Sequence, residues 1–326
     1  MNKTVALGDI PKLLEQRDKY VVVCHRKPDG DTLGSAFALS RILELMGKDV
    51  RIVCSDPVPT YLQKILDGTK VTDDAFVKNS EGVIAVDIAE ASLFGKIKEE
   101  ITKKGVYLKI DHHLTGEDYA VNNYVDSEAS SVGEIIYSLA EMMGYSLDYE
   151  LARSAFVAMS TDTGGFRYSN TKASTYLAAS KVAEVCGEEL ANINMLLYET
   201  KPMSKLIGNA VAVDYMRLAY DDRLAYVVLD DETKVEEGIV DDDLDEVVAL
   251  FRSIEGVVAA FLVRQIAPDK YRVSARSKPG FDCSAFCSHF GGGGHMFAAG
   301  CNIEAGSVEE AEDIVVTAAE EYFYDC

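Results

Sequence analysis

Side chains able to hold metal ions gather at four points in this 326-residue chain. The segment HRKPDGD supplies His25, Asp29 and Asp31, and Asp87 follows the apolar run 83–86. Asp111, His112 and His113 follow the apolar run 106–110, and Asp162 lies in the turn TDTGGF. Histidines with four or five aspartates make a donor set rich in oxygen and nitrogen. Such a set suits two Mn²⁺ ions better than metals that prefer thiolates, with Mg²⁺ and Co²⁺ as the other candidates. Any one of these aspartates has a plainer use as a helix cap or turn residue. Asp31 in particular could cap a helix that begins at Thr32. Four independent caps, however, would not also bring His25 and a His-His pair.

A second constellation lies in VSARSK at 273–278 and FGGGGHMFAAG at 290–300. Consecutive glycines, among them Gly292, Gly293 and Gly294, let backbone approach an anion closely with free N–H donors. Arg276 offers a two-pronged fork to a phosphate, and His295 can donate to phosphate or stack on a base. The plainer reading of the glycines is a flexible loop. Cys283, Cys287, His289 and His295 could be drawn as a zinc site, but their spacing is not a finger or ribbon pattern. Small apolar cysteines buried on a helix explain the pair more simply.

These residues need elements to position them. Apolar runs at 21–24, 49–54, 83–86 and 106–110 alternate with helical patterns at 32–46, up to about 104, and at 131–143, 149–160 and 171–186. Strands spaced by amphipathic helices predict an α/β fold with a doubly wound, mainly parallel sheet. In such sheets sites form beyond the carboxyl ends of strands, which would bring the separated ligands together. A helical connector with a break near Lys201-Pro202 follows. Beyond it a hairpin at 217–229, a helix at 242–254, strands at 257–266 and 271–277 and a last helix at 307–322 suggest a smaller mixed α/β domain. The expected division is 1–188, a helical linker at 189–209, and 210–326.

The net charge is −22, with 54 acidic against 32 basic residues. So acidic a surface offers no general basic stripe for a long nucleic acid and is expected to repel one. The apolar runs are too short to span a bilayer, and the first residues lack the apolar core of a signal peptide. The seven cysteines are scattered and odd in number, which argues against a disulfide framework. The expectation is a cytoplasmic protein without membrane contact.

HRKPDGDTLGS, AVD at 85–87, the triplet Asp111-His112-His113 and STDTGGFRYSNT resemble, in order and spacing, the four motifs of the DHH phosphoesterase superfamily. The resemblance covers nearly the whole chain. It implies that His25 and Asp29 hold one metal, that Asp31, His112 and Asp162 hold the other, and that Asp87 bridges them. It further implies that Asp111 orients a metal-holding histidine and that His113 meets the substrate phosphate. Two cations about 4 Å apart would then activate a shared water for in-line displacement. The second constellation resembles the first type of DHH-associated C-terminal domain, found in nanoRNase/pAp phosphatases and in RecJ. It would make Arg276, Gly292, Gly293, Gly294 and His295 a clamp for the substrate's phosphate and base, with Arg167 as a further contact. The implied substrates are short oligoribonucleotides, linear dinucleotides such as pApA, and pAp. A DHH-type pyrophosphatase and a nucleotide-binding sensor are the alternatives, and a homodimer is left open.

Overall fold

The computed structural model describes residues 2–67, 70–72 and 75–324. The chain divides into two compact units, Met1–Thr200 and Lys201–Cys326, a boundary inside the stretch read above as a connector.

In the first unit seven strands form one sheet: β1 Lys3–Thr4, β2 Lys19–Val23, β3 Asp49–Val53, β4 Val71–Thr72, β5 Gly82–Val86, β6 Leu108–Asp111 and β7 Asn122–Val125. Their spatial order is β1-β7-β6-β5-β2-β3-β4, and every neighbouring pair is parallel. Strands covered on both faces need apolar side chains at consecutive positions, and β2 and β5 have them. Tyr20, Val22, Ile84 and Val86 enter one core with Leu39, Ile136 and Phe156. Val21, Val23, Val83 and Ala85 enter the other with Phe94 and Ile101. Each such side chain contributes about 1.5–3 kcal/mol by leaving water. The chain runs outward from β2 through β3 to β4, and outward from β5 through β6 to β7 on the other side. The order therefore reverses between β2 and β5, the position at which open α/β sheets form binding crevices.

Three helices, Gly30–Leu45, Val132–Met142 and Tyr149–Asp162, pack together on one face. Their approach depends on missing side chains. A Cβ at Gly34 would stand 2.5 Å from the Ser154 carbonyl oxygen, and one at Gly133 would stand 2.3 Å from the Ala158 Cβ.

The second unit has a six-stranded mixed sheet of β8 Arg217–Ala219, β9 Leu224–Leu229, β10 Ala259–Ala267, β11 Lys270–Ser277, β12 Gly293–His295 and β13 Ala298–Glu304. The order is β12-β13-β11-β10-β9-β8; β9 and β10 are parallel, and the other pairs are antiparallel. The β8–β9 turn takes positive φ at Tyr220, Asp221 and Asp222, which makes it tight. Among the described residues, no helix is long and apolar enough to cross a membrane.

Candidate metal centre

The ends of β2, β5 and β6 bring His25, Asp87 and Asp111-His112-His113 to one place, and the helices supply the rest. Asp29, and not Asp31, is the N-cap of helix Gly30–Leu45. Its carboxylate accepts from the N–H groups of Asp31 and Thr32, both at 3.1 Å. Asp31 sits in the first turn and is buried. It accepts from Ser35 Oγ at 2.8 Å and from the N–H groups of Val132 at 2.9 Å and Gly133 at 3.1 Å. The first turn of the second helix thus meets the first turn of the first through one carboxylate, and both helix ends favour negative charge there. Asp162 closes helix Tyr149–Asp162, which runs two residues further than the periodicity suggested. Asn170 Nδ2 donates to both the Asp162 carbonyl and its carboxylate, each at 3.2 Å.

The donor atoms form three overlapping trios, His25–Asp29–Asp87, Asp31–His112–Asp162 and Asp87–His112–His113. His25 Nε2 lies 3.5 Å from Asp29 Oδ1 and 3.5 Å from Asp87 Oδ2. His112 Nε2 lies 3.7 Å from Asp31 Oδ2, 3.8 Å from Asp162 Oδ2 and 3.6 Å from Asp87 Oδ1. These separations are too long for hydrogen bonds, yet they suit atoms each about 2.1 Å from a shared cation. Asp87 belongs to both surroundings, and its buried Oδ1 has no hydrogen-bond partner. An orphaned carboxylate oxygen among histidine nitrogens fits a divalent cation as its missing partner. The ring orientations agree: His25 Nδ1–H donates to the Arg26 carbonyl at 2.8 Å and His112 Nδ1–H to that of Ala129 at 3.4 Å. Each therefore turns Nε2 toward the acids, as metal-holding histidines do.

Asp87 has φ +58°. Aspartate tolerates this left-handed conformation better than most residues, and it marks a constrained turn at the strand end. Thr32 ties the neighbouring ends together, its Oγ1 accepting from His25 N–H at 3.3 Å and donating to the Val86 carbonyl at 3.1 Å.

His113 behaves differently from His25 and His112. Its Nδ1 bonds Asp111 Oδ1 at 2.7 Å, and its side chain is one-third exposed. The Asp111 bond outweighs burial and pushes the imidazole up to about 9, so it carries a positive charge at neutral pH. Burial acts against the Asp111 carboxylate, but His113 and Lys109 together hold it down to about 2. Arg167 lies on the exposed turn after Asp162, its Nε bonded to the Gly164 carbonyl, and is not one of the clustered side chains.

Without cations Asp31, Asp87 and Asp162 resist ionisation, whereas at Asp29 burial is outweighed by His25, which holds the carboxylate ionised. Burial first, and then the charge of Asp31, pushes Asp87 up to about 8 and Asp162 up to about 7. Burial opposes charge on His25, but Asp29 and Asp87 more than compensate and raise it to about 11. All three bind protons more tightly folded than unfolded. Their contribution to stability is complete below the unfolded pKa values and is lost as pH rises through the folded ones. Carboxylates with lowered values, such as Asp111, are already ionised in both states above pH 5. The metal-free protein is therefore expected to lose at least about 5 °C in Tm between pH 5 and 8, since about 2 kcal/mol corresponds to 4–8 °C in a domain of this size. With saturating Mn²⁺ the trend should flatten or reverse, because binding a cation requires these protons to leave. Thermal unfolding of chelated and loaded protein across that range checks it, and a metal-free Tm that rises with pH would contradict the electrostatics.

In the second unit, β13 stands between the two other carriers of candidate residues. Arg276 on β11 and His295 on β12 both face Ala298 across their ladders. Residues directly opposite in antiparallel pairs project to one face, so the Arg276 and His295 side chains share a face, two strand spacings (about 10 Å) apart. The glycines form a strand hairpin and not a loose loop. A Cβ at Gly292 would meet the Gly300 oxygen at 2.3 Å, and one at Gly294, where φ is +147°, would meet the Ala298 oxygen at 2.5 Å. Gly293, paired with Gly300, is exposed, and a Cβ there would meet nothing within 4 Å. Cys283 and Cys287 are buried in the core, and His289 Nδ1 bonds Tyr322 Oη at 3.1 Å. Among the described residues these do not assemble into a metal-binding group.

Comparison with known proteins agrees with both units. The N-terminal domain of the DHH family matches residues 19–159, and the DHHA1 domain matches residues 221–324. The chain is 30% identical to the probable bifunctional oligoribonuclease and PAP phosphatase NrnA of Streptococcus mutans, over 91% of this chain and 93% of that protein. It is 28% identical to the bifunctional oligoribonuclease and PAP phosphatase NrnA of Thermus thermophilus, over 92% and 89%. Among solved structures, an exopolyphosphatase-related protein from Bacteroides fragilis superposes with a TM-score of 0.88 at 26% identity, covering 97% of this chain and 96% of that one.

Proposed function

Since this chain belongs to the DHH family, with a DHHA1 domain after its DHH domain, we propose that it is a two-metal phosphoesterase of very short nucleotides. Its substrates are short oligoribonucleotides, linear dinucleotides such as pApA, and pAp, which it converts to AMP by releasing the 3′-phosphate. The observation that carries the reading is Asp87, which has a buried, unpartnered Oδ1 and belongs to two of the overlapping donor trios. His25 and Asp29 would hold one divalent cation, Asp31, His112 and Asp162 the other, and Asp87 both. The all-oxygen-and-nitrogen donor set favours Mn²⁺. Such a pair of cations, when bound, activates water as the nucleophile and offsets charge on the phosphoryl oxygens.

The chain's own residues do the rest. His113, cationic through Asp111, donates to a non-bridging phosphate oxygen. Arg276 takes a second phosphate, and His295 donates to that phosphate or stacks on a base, while Gly293 offers its N–H. The two bacterial relatives, named as oligoribonuclease and PAP phosphatase, support this choice of substrate. So does the pairing of Arg276 with His295 on one sheet face, which pyrophosphate does not need.

The test is a panel of pAp, pApA, ribonucleotides of two to five residues, a generic phosphodiester and pyrophosphate, each with Mn²⁺ and read by product chromatography. The nucleotides are expected to be cleaved and pyrophosphate to survive. Rapid pyrophosphate hydrolysis would favour the pyrophosphatase reading, and no metal-dependent hydrolysis of any diester would favour a sensor.

If Arg276 and His295 bind substrate and do not cleave it, alanine at either should spare a generic diester that offers no second phosphate or base. On pApA, Arg276→Ala should cost about 2–4 kcal/mol in kcat/KM, the worth of a charge-assisted phosphate contact. Equal losses on both substrates would instead mean that these residues support the fold.

A further inference from the structure

Lys109 occupies the middle of β6, between Leu108 and Ile110, where the surrounding pattern calls for an apolar residue. Its side chain is buried, at 2% exposure. A buried ammonium is tolerated only where acceptors surround it, and here they do. Nζ lies 3.0 Å from Asp111 Oδ2 and donates to the carbonyls of Glu117 at 3.1 Å and Ala89 at 3.4 Å. The Tyr119 ring covers it, with the centroid 5.3 Å away. The other oxygen of the same carboxylate, Asp111 Oδ1, takes His113 Nδ1–H at 2.7 Å and His112 N–H at 2.9 Å. The carboxylate is thus divided, one oxygen facing a fixed cation and the other facing the histidine pair.

That division matters for the direction in which His113 points. A carboxylate free to rotate can offer either oxygen to an imidazole, but an ammonium locked by two backbone carbonyls removes that freedom. With Nδ1 committed to Asp111, the remaining polar atom of the ring, Nε2, is the one left for a substrate.

We propose that Lys109 is a positioning residue for phosphoester hydrolysis, acting through Asp111 to fix the ring of His113. The proposal rests on the functional reading above. A purely structural lysine would instead serve only to pin the segments around Ala89 and Glu117.

The experiment compares Lys109→Met, which keeps the volume of the stem, with Asp111→Asn and the double variant. Lys109→Met is expected to lower kcat on pApA about 10- to 100-fold, part of the range of a positioned proton donor, with KM and bound metal within about twofold of the parent. In the Asp111→Asn background the same substitution should cost less than about threefold, because residues that act in series do not add. Multiplicative losses, or a kcat that follows bound metal, would overturn the proposal. If Lys109→Met does not fold, the double variant, which carries neither buried charge, should fold and match Asp111→Asn. Failure of both variants to fold would make Lys109 structural and end the proposal. A separate readout keeps this apart from the substrate assignment. In ¹H–¹⁵N NMR of the Mg²⁺-loaded protein, the His113 Nδ1–H should show the downfield proton shift of a bond held by Asp111 and lose it in Lys109→Met. An unchanged ring overturns the positioning role, whereas a parent protein inactive on every phosphoester overturns the functional reading alone.

Discussion

Replacing Asp87 with alanine is expected to lower turnover by at least about a thousandfold, the scale on which metal-activated water contributes. Its two oxygens face different histidines, Oδ2 toward His25 and Oδ1 toward His112. No other carboxylate belongs to both surroundings among the described residues, so none can replace it. Loss of this one side chain would separate the cations or release one. The bound metal should therefore fall below two equivalents, while the cores on either side of the sheet, which do not include Asp87, hold the fold. Steady-state hydrolysis of a generic diester at saturating Mn²⁺, paired with elemental analysis, measures both effects. Near-normal turnover would refute the bridging assignment.

Substrate length is expected to have an effect of similar size. The prospective cations of the first unit, with Arg276 and Lys278 in the second, would supply positive charge for only a few phosphates. Every further phosphate meets a protein of net charge −22 and releases few counterions, so it adds little to binding. Nor does the sequence carry the serial aromatic and basic platforms that follow a long single strand. Ribonucleotides of about two to five residues should be cleaved efficiently, and kcat/KM should fall by about a hundredfold or more toward a twenty-mer at moderate salt. A rate that stays level or rises along such a ladder would point to an extended strand-binding surface and sink the charge argument.

His25, Asp87 and the Asp111–His113 triplet of the candidate centre stood out in the sequence because each follows an apolar run and its type is costly to place there by chance. Position and chemistry coincide at His25, Asp87 and Asp111, all beside the β2–β5 reversal. Elements that break the hydrophobic pattern were harder to see. β7 reads NNYV, and Asn122 and Asn123 are buried there because their amides bond the carbonyls of Tyr107, on the neighbouring strand's approach, and of Ala120, in the turn just before. β12 reads GGH, which locally resembles a loop; it becomes a strand because β13 lies close enough to exclude a Cβ. Thr32, Asn170 and Lys109 support the site through bonds to residues distant in sequence. Only a composition signal, a lysine inside an apolar run, could have drawn attention to Lys109.

The glycines at the crossing of the three helices give this centre an unusual engineering profile. A glycine within a helix normally invites replacement by alanine, which gains roughly 0.5–1 kcal/mol from reduced backbone freedom. At Gly34 and Gly133 that intervention acts as a wedge, since the added methyl meets backbone or a methyl group within 2.5 Å. Forcing these helices apart would draw the Val132 and Gly133 amides off Asp31 and loosen a prospective cation ligand from a site that contains neither mutated atom. Helix propensity and interhelical packing therefore favour opposite residues at the same positions, and since overpacking costs about 1–3 kcal/mol, alanine at either would lower stability and loosen the prospective cation ligand together.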